Sequence, residues 1–146
     1  MSSERLLVCL RIADGDASTL AATLSHLLAQ RGIDFLVAVV DDASATGCAT
    51  VVAQLGDPRV RLVRNDARQG AARCRALALE LCAAPFVAEV PERGDVLPGA
   101  LAKLVDACAA SPAVARAAAR ASSMRASCIC DRAARFAGST AREARG

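Results

Sequence analysis

The run Val37-Ala-Val-Val-Asp-Asp-Ala-Ser44 constrains this chain more than any other segment. Four apolar residues in succession, ended by two adjacent carboxylates, read as a strand buried on both faces, as in a parallel sheet. Asp41 and Asp42 then stand at the carboxyl end of that strand, the edge of an open α/β sheet at which ligands bind. A short carboxylate there can accept hydrogen bonds from a base or sugar, or help to hold a cation. The same Asp-Asp-Ala-Ser segment also suits a plain turn or a cap for the following helix. The local sequence leaves both readings open.

The flanking sequence supplies the rest of such a sheet. Leu6 to Ile12 reads as a first buried strand, and Ala13-Asp-Gly-Asp16 as a turn. Ser18 is placed to cap a helix running to about Gln30, with Leu20, Thr23, Leu24, Leu27 and Leu28 forming one stripe, and Arg31-Gly32 signals its end. The second strand spans Asp34 to Asp41, and a short helix Thr46 to Leu55, before the turn Gly56-Asp-Pro58. Val60 to Val63 alternates like a strand nearer the sheet edge. A helix follows over Ala71 to Ala83, a fourth strand over Pro85 to Val90, and a helix opened by Pro98 and reaching Ala109. This alternation predicts βαβ units with right-handed crossovers: an α/β, Rossmann-like three-layer sandwich around a mainly parallel sheet.

Composition narrows the function. The chain has 146 residues and 54% hydrophobic content, much of it alanine, with Phe35, Phe86 and Phe136 as its only aromatic residues. The core must be aliphatic, and no stacked-ring platform for single-stranded nucleic acid can be built, so no nucleic-acid partner is expected. The net charge of +3 divides unevenly: residues 1–112 carry 11 basic and 13 acidic side chains, and residues 113–146 carry seven arginines against Asp131 and Glu143. Ser111-Pro112 therefore marks a boundary between an α/β domain (1–112) and an Ala/Arg-rich tail (113–146), expected to be poorly ordered after an extra strand over Val114 to Ala119. Seven scattered cysteines read as small buried hydrophobes in a reducing compartment; Cys128-Ile-Cys130 lacks a zinc-knuckle spacer, and the one histidine, His26, is remote. With no targeting segment and no apolar run of membrane-spanning length, the expectation is a cytoplasmic protein without an integral membrane segment.

Taken in order, several short motifs resemble family 2 glycosyltransferases of the GT-A fold. They are Thr23-Leu-Ser-His-Leu-Leu-Ala-Gln30, Val39-Val-Asp-Asp-Ala-Ser44, Asp57-Pro-Arg-Val-Arg-Leu-Val-Arg-Asn65, Gly70-Ala-Ala-Arg-Cys-Arg75 and Val96-Leu-Pro-Gly-Ala-Leu101. The resemblance covers roughly residues 5–118 and implies a nucleotide-sugar donor, a UDP-sugar first, lying across the strand ends. It implies that Asp42 accepts a hydrogen bond from the base, that Asp41 shapes the same pocket, and that Arg73 stands near the donor diphosphate, where a guanidinium pairs well with phosphate oxygens. Gly70 would let the loop backbone approach the start of the helix.

The departures from the family are equally specific. Its Asp-x-Asp, which holds a divalent cation (manganese or magnesium) against the leaving diphosphate, falls without gaps on Pro91-Glu-Arg-Gly94. The second metal carboxylate thus becomes Arg93, which repels a cation or itself faces the diphosphate as a fixed charge. Glu92 and Asp95 remain as candidate metal ligands through a loop shift. The family's Pro-Thr-Tyr-Asn becomes Ile12-Ala-Asp-Gly15, and the asparagine after its arginine becomes Cys74. The acceptor half that supplies a general base is missing from this chain, and nothing places Asp131 in the site. Two readings follow: a glycosyltransferase moving a sugar to a hydroxyl acceptor, or a non-catalytic relative that binds nucleotide or a protein partner. A receiver-like signalling domain is disfavoured, since the third strand ends in Arg64-Asn-Asp66 and Lys103 is the only lysine.

Overall fold

Strand and helix alternate throughout residues 4–110, the part of the chain that the computed structural model describes. The elements are β1 (Leu6–Ile12), α1 (Ala17–Leu28), β2 (Phe35–Asp42), α2 (Cys48–Leu55), β3 (Val60–Asn65), α3 (Ala71–Leu81), β4 (Phe86–Val90) and α4 (Ala100–Ala110). The strands form one sheet in the order β3-β2-β1-β4, with every pairing parallel. The expected α/β class and parallel sheet are therefore present.

The two-residue period of the strands sorts their side chains between two hydrophobic layers. Leu6, Val8 and Leu10 of β1 and Phe35, Val37 and Val39 of β2 face α1, α2 and α4, which contribute Leu20, Leu24, Leu27, Val51, Leu101, Leu104 and Val105. Leu7 and Cys9 of β1 and Leu36, Ala38 and Val40 of β2 face Cys74 and Ala78 of α3. All eight residues of β2 are buried, as expected of a strand covered on both sides. β3 lies at the sheet edge, and its burial falls away between Val60 and Asn65.

The order of the strands explains which helix covers which face. The chain steps from β1 to β2 to β3 through α1 and α2, then returns past both strands to β4 through α3. With crossovers of one hand, reversing the direction of travel reverses the face on which the helix packs. So β2 leads into a helix on one face and its neighbour β3 into a helix on the other. Adjacent strand ends whose loops part in this way open the crevice that α/β proteins use for ligands.

Several boundaries differ from the sequence expectation, each for a local reason. Asp16, not Ser18, caps α1: its carboxylate accepts the Thr19 amide at 2.8 Å and the Ser18 hydroxyl at 2.8 Å. That helix stops at Leu28, ahead of Arg31-Gly32. α2 starts at Cys48 because Thr46 is drawn away, its hydroxyl donating to the Gly15 carbonyl at 2.7 Å. β3 runs on to Asn65, which pairs in register with Asp42. α4 starts at Ala100, with Pro98 and Gly99 forming the turn before it. The tail expected over 113–146, with its strand at Val114 to Ala119 and with Cys128, Cys130 and Asp131, lies outside the described residues.

Leu24 is fully buried in the layer between α1 and the sheet. Leu24→Ala should cost about 2–5 kcal/mol, the transfer loss plus a cavity. A lowered urea midpoint with an unchanged slope in the unfolding curve is the expected readout.

Candidate functional site

Because successive β2 side chains alternate, Asp41 and Asp42 point to opposite faces of the sheet. Asp41 turns toward the α2 side, where its Oδ1 accepts the Ser44 amide at 2.9 Å and the Ser44 hydroxyl at 2.6 Å. Its Oδ2 pairs with Arg64, its register partner on β3. This arrangement is the plain turn that Asp-Asp-Ala-Ser allowed. Burial alone would raise the Asp41 carboxyl, but the Ser44 bonds and Arg64 together hold it below its ordinary value.

Asp42 turns toward α3, and its side chain is wholly buried. Oδ1 accepts the Asn65 side-chain amide at 2.9 Å and the Gln69 backbone amide at 2.8 Å. Oδ2 accepts Arg11 Nε at 2.9 Å, Arg11 Nη2 at 2.7 Å and the Gly70 amide at 3.1 Å. One carboxylate thus joins β1, β2, β3 and the start of α3. Burial pushes its pKa up, yet the bonds from Asn65, Gln69, Arg11 and Gly70 outweigh that and hold it far below the usual carboxylate range. Gly70 has φ +87° at the cap of α3, a conformation a side chain would strain. That geometry delivers the Gly70 amide to Asp42.

The loops around this hub are tied to one another. Glu92, following β4, reaches the loop after β1: its Oε1 accepts the Asp14 amide at 3.0 Å and also the Ala13 amide. Its own carbonyl accepts the Thr23 hydroxyl at 2.9 Å. From the other side Arg68, just before α3, donates to the Ala13 carbonyl at 2.8 Å and pairs with Asp14. The ends of all four strands are cross-linked through Ala13, Asp14 and Gly15.

The candidate residues divide accordingly. Asp42 and Gly70 are in direct contact, and Arg73 sits exposed in the first turn of α3, the helix that Gly70 begins. Arg75, two residues on, is partly buried and pairs with Glu89 of β4. Arg93 is exposed in the turn after β4 and lies near enough to Asp16 to help lower its pKa to about 2, behind the larger effects of the Thr19 and Ser18 bonds. Asp95 is exposed and approaches His26 of α1 at 3.8 Å. Glu92 and Asp95 thus face different partners. Among the described residues no group of three His, Cys, Asp or Glu side chains could hold a metal ion.

Sequence reasoning missed Arg11, Arg64 and Asn65 as partners of the two aspartates, and Arg68 as the partner of Asp14. Arg11 carried the clearest signal, a charge interrupting the apolar run of β1 one residue before that strand ends. The described cysteines are free thiols, four buried and Cys82 partly so. Burial, with Glu89 nearby, pushes Cys9 up to about 12. Burial, with Asp41 nearby, pushes Cys48 up to about 11. Protonated at neutral pH, both pack as small apolar groups, not nucleophiles.

The model of glycosyl transferase family 2 matches residues 11–125. Succinoglycan biosynthesis protein ExoO of Rhizobium meliloti (strain 1021) is 31% identical over 94 residues, which are 64% of this chain and 27% of ExoO. The mannosyltransferase PcManGT from Pyrobaculum calidifontis, solved in complex with GDP-Man and Mn2+, superposes with a TM-score of 0.65 at 22% identity, over 77% of this chain and 34% of that one. TarS 1–349 of S. aureus in complex with UDP-GlcNAc gives a TM-score of 0.59 at 19% identity, over 70% and 30%. The two structures share the GT-A fold with this chain. This chain spans about a third or less of each of these relatives.

Asp42→Ala would leave Asn65, Arg11 and two backbone amides without their acceptor. The expected loss is about 3 kcal/mol or more in urea unfolding. The depressed carboxyl also sets a pH dependence. Its stabilisation is complete above the unfolded carboxylate value of about 4 and is lost as pH falls from there toward the lower folded value. Urea midpoints should therefore drop below about pH 4, and less steeply in Asp42→Asn.

Proposed function

The chain belongs to glycosyl transferase family 2, and we propose that it forms the half of a sugar-transfer protein that binds a nucleotide-diphosphosugar donor. The observation that carries this reading is the joining of Asp42, Asn65 and the Gln69–Gly70 backbone in the crevice between β2 and β3. The donor lies across the strand ends, with its base toward the Asp41–Asp42 corner and its diphosphate toward the first turn of α3. Arg73 is exposed there, as a guanidinium pairing with phosphate oxygens must be. Since its carboxylate is already satisfied by protein donors, Asp42 acts by fixing the walls of the base pocket, and any bond to the base replaces one of those five. A UDP-sugar is the first candidate; TarS, with UDP-GlcNAc, and PcManGT, with GDP-Man, make uridine and guanosine nucleotides the two bases to compare.

A second reading, a nucleotide-binding or interaction module without transferase activity, is favoured by one observation. Of the described strand-end carboxylates, Asp14, Asp41, Asp42 and Glu92 have hydrogen-bonding partners within the protein, which leaves the exposed Asp66 just after β3 as the one not already engaged that could deprotonate an acceptor hydroxyl. Sugar release or transfer from a radiolabelled donor separates the readings: transfer supports the enzyme, and tight binding without turnover supports the module. For the cellular setting, the free, buried thiols suit a reducing cytoplasm. Among the described residues no helix is long and apolar enough to cross a membrane.

Calorimetric titration with uridine diphosphate and guanosine diphosphate tests the donor reading. One of them should bind, and Arg73→Ala should weaken it by about tenfold, the worth of a charge-assisted bond. Arg73→Ala that binds as tightly as the parent removes α3 from the diphosphate site.

A further inference from the structure

The family resemblance implies a divalent cation, and the mannosyltransferase of similar fold was solved with Mn2+, yet the residues here do not fit one. A hard cation needs several carboxylate or carbonyl oxygens converging with open lone pairs. Of the two candidates after β4, Glu92 spends one oxygen on the Ala13 and Asp14 amides. Its other oxygen stands against Gly15, 3.4 Å from where a Cβ on that glycine would be. Asp95 turns away toward His26.

A loop shift to rescue the pair meets resistance on three sides. The segment Pro91–Gly94 is a tight turn, closed by the Gly94 amide on the Pro91 carbonyl at 3.0 Å. Gly94 is packed so closely that an added Cβ would lie 2.6 Å from Val90 Cγ1 and 3.1 Å from the Pro91 carbonyl. Further on, Gln30 holds the loop by donating to the Leu97 carbonyl at 2.9 Å. Glu92 is therefore a strap between the β1 and β4 loops.

Three more acids at the strand ends are matched by arginines, Asp14 by Arg68, Asp41 by Arg64 and Asp42 by Arg11, while Asp66 after β3 is exposed and forms no ion pair among the described residues. Two exposed guanidinium groups at the same end, Arg73 and Arg93, form no ion pair with a carboxylate among those of the described residues. Arg93 occupies the position that the ungapped match gives to a metal carboxylate.

Resting on the donor reading above, we propose that this chain holds the diphosphate without a divalent cation, Arg93 meeting the charge of the terminal phosphate in place of the metal. A guanidinium supplies a fixed positive charge and two parallel donors to phosphate oxygens. Unlike a metal, it needs no open carboxylates.

The test is calorimetric titration of the full chain with uridine and guanosine diphosphates, in chelator and again with manganese. Equal affinity in both supports the proposal. Binding that requires manganese overturns it while leaving the donor reading intact; no binding of either nucleotide in either buffer overturns both. Arg93→Ala, an exposed position that should not disturb folding, gives the second readout. In chelator it should lose about tenfold for the nucleoside diphosphate and nothing for the corresponding monophosphate, which lacks the terminal phosphate. An unchanged diphosphate affinity, or an equal loss for both nucleotides, overturns the role of Arg93.

Discussion

A carboxylate taken wholly out of water must be met by donors on both oxygens, or it will not stay ionised. Asp42 meets that demand with five hydrogen bonds drawn from β1, β3 and the loop leading into α3. The requirement works in reverse on the chain. Arg11 must project to the α3 side near the end of β1, Asn65 must extend β3 to reach its register partner, and Gly70 must take a positive φ to present its amide. The geometry of the crevice between β2 and β3 is thus set by the electrostatic needs of a single side chain. In the donor site proposed above, a ligand would meet walls already assembled.

Much of the fold was legible because the local signals agreed with one another. The unbroken apolar run of β2 could only be a strand covered on both faces, and the leucine stripe of α1 could only be one helix face. Helix starts were less legible, since they depend on competition among neighbouring polar groups. Ser18 looked like a cap, but Asp16 reaches the Thr19 amide and takes the Ser18 hydroxyl as well. Thr46 looked helical until the Gly15 carbonyl claimed its hydroxyl.

For the candidate site, sequence identified the aspartates and the glycine but not what they would touch. Asp41 and Asp42 are neighbours in the chain, yet strand alternation gives one a turn and the other a buried hub on the opposite face. Their arginine partners sit 23 and 31 residues away, beyond the reach of any local pattern. Glu92 illustrates the same limit. Its spacing suggested a metal ligand, but its carboxylate is committed to two backbone amides that no motif marks.

Amide chemical-shift mapping tests the central claim, that the Asp42 hub builds a nucleotide-diphosphate crevice, most directly. On adding uridine or guanosine diphosphate to the labelled chain, shifts should concentrate at Asp42–Ser44, Gln69–Arg73 and Arg93, with the far ends of the strands unmoved. Shifts confined to another surface, with those three segments silent, would contradict the account.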